Sequence, residues 1–375
     1  MMERQSLLLR WWFRPRFRAI AIQALVGLAV LLALVGMGLT ARDNLARVNL
    51  GIGFDFLAQP SSVQAGETIL PQQPSDSYLW LLVAAAANTL RVVLIAALLA
   101  TVLGLLVALA RLSRNPLPRA IATGYVALCR GTPVLLQILV WYAIMQTLPP
   151  IRQALSIGQS IFLSQRGLVF PAPVLASPGL AAGGLALLAL ALVVVLARRR
   201  LPRGSAVILA LAGLGLAVAG FQLEFPIRRA FNFAGGLTLS PEFAALLCGL
   251  VFYSTAYMAE VIRGGILSLP RGQWEAARAL GLRSRHTFWL VVLPQALRVV
   301  IPPMTVQYLS LLKNSTLAFA IGYPDLFWAI NTMINQTGHA VEGIMILMAV
   351  FLVPSLTAAG LFNALNKRIA RQGLA

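Results

Sequence analysis

Apolar residues in this chain come in long runs separated by polar breaks, not in short alternations. Runs at 19–39, 79–111, 120–148, 179–197, 205–222, 241–267 and 341–365 approach or exceed the roughly 20 residues that cross a hydrocarbon core. One more begins inside the polar stretch 269–294 and continues to residue 313, with Pro294, Pro302 and Pro303 as expected kinks. The pattern predicts an all-α polytopic membrane protein with about eight transmembrane helices. The basic N-terminus looks like the start of a signal peptide. Its apolar run is longer than the usual cleaved segment and lacks a clear small-residue cleavage site, so a first membrane helix is expected.

The breaks differ in charge. Arginines crowd residues 4–18, 111–119, 198–203 and 271–285, and Lys367, Arg368 and Arg371 end the chain. Short basic loops stay in the cytoplasm, which puts both termini inside and segments 40–77, 149–177, 223–240 and 318–340 outside. Segment 40–77 is long enough for a small external cap. The pair 179–222 carries no polar residue that suggests a pathway, so lipid-facing scaffolding is expected.

Composition narrows the function classes. The chain is 59% hydrophobic and 11% charged, against about a quarter charged in soluble domains. The net charge of +19 points to topology and anionic membrane lipid as the partner of these charges, not to nucleic acid. Cys129 and Cys248 lie in apolar runs and make no disulfide framework, and His286 and His339 have no metal-ligand cluster around them. Neither Lys313 nor Lys367 follows a glycine, so there is no phosphate-binding loop, and ATP hydrolysis would have to lie on another subunit.

The stretch Leu269 to Pro294 is an island of charge. Pro270 suits a first helical turn, and residues 273–280 are good helix formers. Trp274, Ala277 and Leu280 recur on one face, with Arg271, Glu275 and Arg278 on the other. Gly281 can end the helix in the left-handed region, and Ser284 can cap the next one. A short amphipathic helix held between two membrane helices can pass force from a docked partner. It can equally be a surface connector.

The spacing then becomes specific. Glu275-Ala276-Ala277, Gly281 after three residues, and Val291-Val292-Leu293-Pro294 after nine more resemble the EAA loop of ABC importer membrane subunits, with Val291 in place of isoleucine. Arg130-Gly131-Thr132-Pro133, Ala259-Glu260-Val261-Ile262-Arg263-Gly264-Gly265, Pro294-Gln295-Ala296 and Leu312-Lys313-Asn314-Ser315-Thr316 resemble permeases of the polar amino acid group (histidine, glutamate, glutamine, arginine, opine). The long form resembles the permease subunits of general L-amino acid importers. The resemblance implies a five-helix type I importer core plus three extra helices. It divides the chain into an N-terminal addition (1–78), a first core part (79–148), an inserted loop and helix pair (149–240), and a second core part (241–375).

It also implies an inner-membrane subunit of bacteria that moves amino acids inward. Its expected partners are ATP-binding cassette ATPases, a second and different permease subunit, and an external amino-acid-binding protein. No cofactor is expected on this chain, with ATP and Mg on the partner ATPase. Trp274, Glu275, Ala276, Ala277, Leu280, Gly281 and Pro294 would form the ATPase contact. A stand-alone secondary transporter or channel is the alternative, against which stands the lack of a clear internal repeat.

Polar residues inside spans form the last set. Asn88, Thr89, Gln137, Gln307, Tyr308, Lys313, Asn314 and Ser315 offer donors and acceptors for an amino acid zwitterion, or bond helices together. Arg130 and Glu260 are costly alone in hydrocarbon and are expected to pair, or to sit at the inner interface.

Overall fold

The protein is described by a computed structural model, and the description covers residues 15–47, 53–158, 160–196, 203–229 and 232–371. The expected arginines at positions 4, 10, 14 and 198–200 lie outside these residues. The helices are α1 (Pro15–Arg47), α2 (Tyr78–Leu112), α3 (Pro116–Gly131), α4 (Val134–Gln146), α5 (Pro178–Leu196), α6 (Arg203–Ala219), α7 (Pro241–Leu267), α8 (Arg271–Ala279), α9 (Leu293–Asn314), α10 (Leu326–Thr337) and α11 (Ala340–Arg371). Among the described residues five helices are long and apolar enough to cross a membrane, or six with one bent pair, and α5 and α6 are shorter apolar helices.

The bent pair corrects the expected single span 120–148. α3 and α4 meet at 106°. Pro133 has no N–H to continue the ladder, and it drives Thr132 to the extended φ of −113°. Gln137 repairs the break. Its Nε2 donates to the Cys129 carbonyl at 2.9 Å and to Thr132 Oγ1 at 2.8 Å, taking up an acceptor that the helix end leaves free.

α7 is the axis of the core. Val92, Ala96 and Ala100 of α2, Ile138 of α4, Leu246, Leu250 and Met258 of α7, and Met304 and Leu311 of α9 share one buried cluster. Small residues set the spacing. A Cβ at Gly249 would lie 2.6 Å from Ile138 Cγ1 and 2.9 Å from its Cα. Across the hairpin α5–α6, a Cβ at Gly184 would meet the Ala217 backbone N at 2.2 Å, so those helices touch backbone to backbone.

Four expected loops carry structure. Within the expected external segment 40–77, residues 53–77 form a strap, with a 3₁₀ turn at Asp55–Ala58 and a bridge from Pro60 to Ser77. Segments 149–177 and 223–240 supply short antiparallel strands: β1 (Leu155–Ile157), β2 (Ile161–Ser164), β3 (Gly167–Phe170), β4 (Ala172–Leu175), β5 (Phe221–Glu224), β6 (Ile227–Arg228), β7 (Phe233–Ala234) and β8 (Leu237–Leu239). The largest sheet runs β1-β2-β3-β8, and the pair β4–β5 joins the base of the α5–α6 hairpin. The expected loop 318–340 contains α10. Its Leu326, Ala329, Ile330 and Met333 are buried at helical spacing, and Asn335 donates to Asn331 at 3.0 Å on the other face.

Candidate functional site

The polar island folds as a helix, a left-handed turn and a second helix start. α8 spans nine residues from N-cap Pro270. Gly281 takes φ 72°, its N–H bonds to the Arg278 carbonyl at 2.9 Å, and Leu282 N–H reaches back to Ala277 at 3.0 Å. That pair of bonds closes the free carbonyls at the helix end. Ala277 is buried and Trp274 half-buried, while Glu275, Ala276 and Gly281 are exposed.

Leu280 departs from the expected face and is 79% exposed. It is the C-cap, at ψ 3°, so the helical period no longer governs it. Ser284 makes no capping bond; Arg283 is the N-cap of the next turn.

A π-helical turn, Thr287–Val292, precedes α9. Pro294 lies in the first turn of α9 and has no N–H for the carbonyl four residues back, so the ladder shifts register just before it. Gln295 Nε2 donates to Gln273 Oε1 at 3.0 Å, tying α9 back to α8.

About two turns before the C-terminal end of α7 sits a charge cluster. Glu260 Oε2 accepts from Arg111 at the end of α2, and Glu260 Oε1 accepts from Arg263 at 2.5 Å. Arg130 stands 4.0 Å away, with its guanidinium 5.3 Å over the Tyr257 ring. The expected Arg130–Glu260 pair is thus the loosest of three contacts. Of the tighter partners, Arg111 was visible in the sequence only as a loop charge and Arg263 only as part of the motif around Glu260.

The polar residues of the spans divide in two. Asn88 is buried; its Oδ1 accepts from Ile69 N–H at 3.1 Å, and its Nδ2 donates to the carbonyls of Glu67 at 2.7 Å and Pro324 at 3.0 Å. Thr89 Oγ1 accepts from Leu326 N–H at 3.0 Å. Gln137 bridges the α3–α4 break, and Tyr308 pairs its hydroxyl with Thr101 at 2.9 Å. Ser315 donates to the Leu312 carbonyl at 2.7 Å. These five hold backbone and helices together. Gln307, Lys313 and Asn314 form no side-chain hydrogen bond within the described residues; Lys313 is exposed and the other two are half-buried.

At the other end of the bundle the strap is clamped by a pair the sequence reading missed. Glu67 Oε1 accepts from Arg91 Nη1 at 2.6 Å, its Oε2 accepts from Ser240 N–H at 3.2 Å, and Arg91 lies 4.1 Å over the Phe243 ring. The available signal was Arg91, a lone cation in an apolar run. A cleft of about 620 Å³ opens here, with Glu67, Gln146, Arg166, Asn232, Glu242 and Trp328 among its walls. It offers a cation and carboxylates in one space.

Asp325 caps α10 through Trp328 N–H at 2.8 Å, and burial pushes its carboxyl up to about 7 against the hydrogen bonds that lower it. Among the described residues no group of three His, Cys, Asp or Glu is close enough to hold a metal.

Comparisons with known proteins add to this geometry. The family of binding-protein-dependent transport system inner membrane components matches residues 100–371. The Escherichia coli (strain K12) protein YhdX is 40% identical over 373 residues, covering 95% of each chain. The general L-amino acid transport system permease protein AapQ of Rhizobium johnstonii is 37% identical, covering 96% of this chain and 95% of that one. The glutamate/glutamine/aspartate/asparagine transport system permease protein BztB of Rhodobacter capsulatus is 34% identical, covering 95% of each. With the helical core built on α7 and the exposed helix α8, these matches mean that the chain belongs to the inner membrane components of binding-protein-dependent transport systems, as an amino acid ABC importer permease.

Proposed function

We propose that this permease moves amino acids into the cell as one of two related but different membrane subunits. It is fed by an external amino-acid-binding protein and driven by a separate ATPase pair that binds ATP and Mg. The reading rests on α8: an exposed nine-residue helix closed by Gly281, joined to α9 by the Gln295–Gln273 bond, and carrying the EAA spacing. The ATPase docks on Trp274, Glu275, Ala276, Leu280 and Gly281. Ala277 is buried beneath that surface, where α8 packs on the π-helical turn before α9, and Pro294 opens α9. Closure of the ATPase pair pushes α8 along the membrane normal, and α7 carries the push into the core.

Both termini and α8 face the cytoplasm, since Arg111, Arg119, Arg271 and Arg285 collect at that end. The cleft around Glu67, Arg166 and Glu242 then faces outward, where it suits an arriving zwitterion. Gln307, Lys313 and Asn314, whose side chains are not spent on internal bonds, are the candidate pathway groups. Segments 1–78 and 149–240 are additions around the core. The names of AapQ (general L-amino acid) and BztB (glutamate/glutamine/aspartate/asparagine) support L-amino acids as the cargo.

The test is co-purification and uptake. Wild-type chain retains the cognate ATPase, and Glu275→Lys loses it while reaching the membrane at normal level. A Glu275→Lys chain that keeps a fully coupled ATPase refutes the docking surface.

A further inference from the structure

One cation of the Glu260 cluster is left over. Glu260 gives one oxygen to Arg111 and the other to Arg263. Arg130 is at the limit of ion-pair range, and its side chain is 45% exposed. Three guanidiniums share one carboxylate, so the cluster is net cationic. Beside it lies a cleft of about 380 Å³, lined by Arg111, Thr123, Val126, Ala127, Arg130 and Tyr257. Its walls are the end of α2, one face of α3 and the middle of α7.

A concave site with spare guanidinium donors and a hydroxyl takes an oxyanion of the phosphate type. Two observations favour a lipid over a soluble source. On a face of α3 turned roughly opposite the cleft, Leu117, Ile121 and Leu128 are 67%, 65% and 66% exposed, an apolar surface that acyl chains would cover, so the helix that walls the cleft also borders lipid. The cleft also lies where α2 ends at Arg111 and Leu112, the level at which basic pockets between membrane helices meet headgroups.

We propose that the Arg130 cleft binds the phosphate of an anionic phospholipid and so braces α3 against α2 and α7. This site is separate from amino acid transport and from the ATPase contact on α8.

The test uses the full-length chain in mild detergent, titrated with phosphatidylglycerol and, in parallel, with zwitterionic phosphatidylcholine, with bound lipid counted by native mass spectrometry. Wild type is expected to hold phosphatidylglycerol about fivefold more tightly than Arg130→Gln, with phosphatidylcholine unaffected. Ala127→Trp keeps every charge but fills the cleft, and is expected to lose the same affinity. Arg119→Gln, an exposed arginine of α3 outside the cleft, should change nothing. Equal phosphatidylglycerol affinity in wild type, Arg130→Gln and Ala127→Trp overturns the site, as does an equal loss in Arg119→Gln. Displacement of the lipid by millimolar inorganic phosphate or free L-glutamate assigns the cleft to a soluble anion and overturns the lipid assignment.

Discussion

Replacing Gly281 by alanine tests how α8 is presented. Gly281 has φ 72°, and a Cβ there would meet nothing within 4 Å. Alanine therefore adds no clash, and its cost is the left-handed backbone alone, about 1–2 kcal/mol. That cost falls on a helix of nine residues, shorter than the ~12–15 at which even good isolated helices become marginal. If the turn holds α8 in its docking geometry, the docking-competent population drops by about five- to thirtyfold, and apparent ATPase affinity drops with it. The assay is ATPase binding to the purified chain, with ATP-driven uptake in proteoliposomes and membrane level as a folding control. Gly281→Asn should recover part of the loss, because asparagine tolerates the left-handed region. Wild-type affinity in Gly281→Ala, or a weaker Gly281→Asn than Gly281→Ala, refutes the reasoning.

Further outcomes follow from the packing and charges. Gly249→Ala drives a methyl into Ile138 and should destabilise by about 1–3 kcal/mol, whereas Gly264→Ala, with nothing within 4 Å of its Cβ, should stabilise by about 0.5–1 kcal/mol; thermal unfolding in detergent reads both signs. Glu67→Leu leaves Arg91 without its carboxylate and should cost about 2–3 kcal/mol, while Glu67→Leu with Arg91→Leu should be close to wild type in the same measurement. Asp325 keeps its proton when folded up to about 7, against a usual 3.8. The folded state thus binds the extra proton between those values, and its stabilising contribution is full below pH 3.8 and is lost as pH rises through 7. Asp325→Asn should flatten the decline of melting temperature across that window, and an unchanged slope would show that another group sets it.

The order and polarity of the apolar runs follow from local sequence alone, because a bilayer demands long apolar segments wherever the chain crosses it. The same holds for α8: helix formers, a proline before and a glycine after are short-range signals, and they gave both ends of the helix to within a residue or two. Leu280 escaped because a period is meaningful only while the helix continues.

Other features depend on partners far apart in the chain. Asn88 read either as a pathway amide or as a bond between helices, and its partners Glu67 and Pro324 come from distant parts of the chain. Glu260 was matched to Arg130 because both sit in apolar runs, yet the helix ends deliver Arg111 and Arg263 more closely. The residues of α10 looked like a polar loop because its asparagines share one face and its buried face needs α2 and α11 to be recognised as such.

The sequence by itself determined where the chain is apolar enough to cross a membrane, where charge interrupts it, and that a capped helix lies in the main interruption. Those properties belong to neighbours within a few turns. Only the tertiary structure decided the 106° break between α3 and α4, the clamping of the strap by Glu67 and Arg91, and the surplus cation at Arg130. The break starts at Pro133, but both of its arms pack on α7; the other two depend on which distant segment supplies the counter-charge.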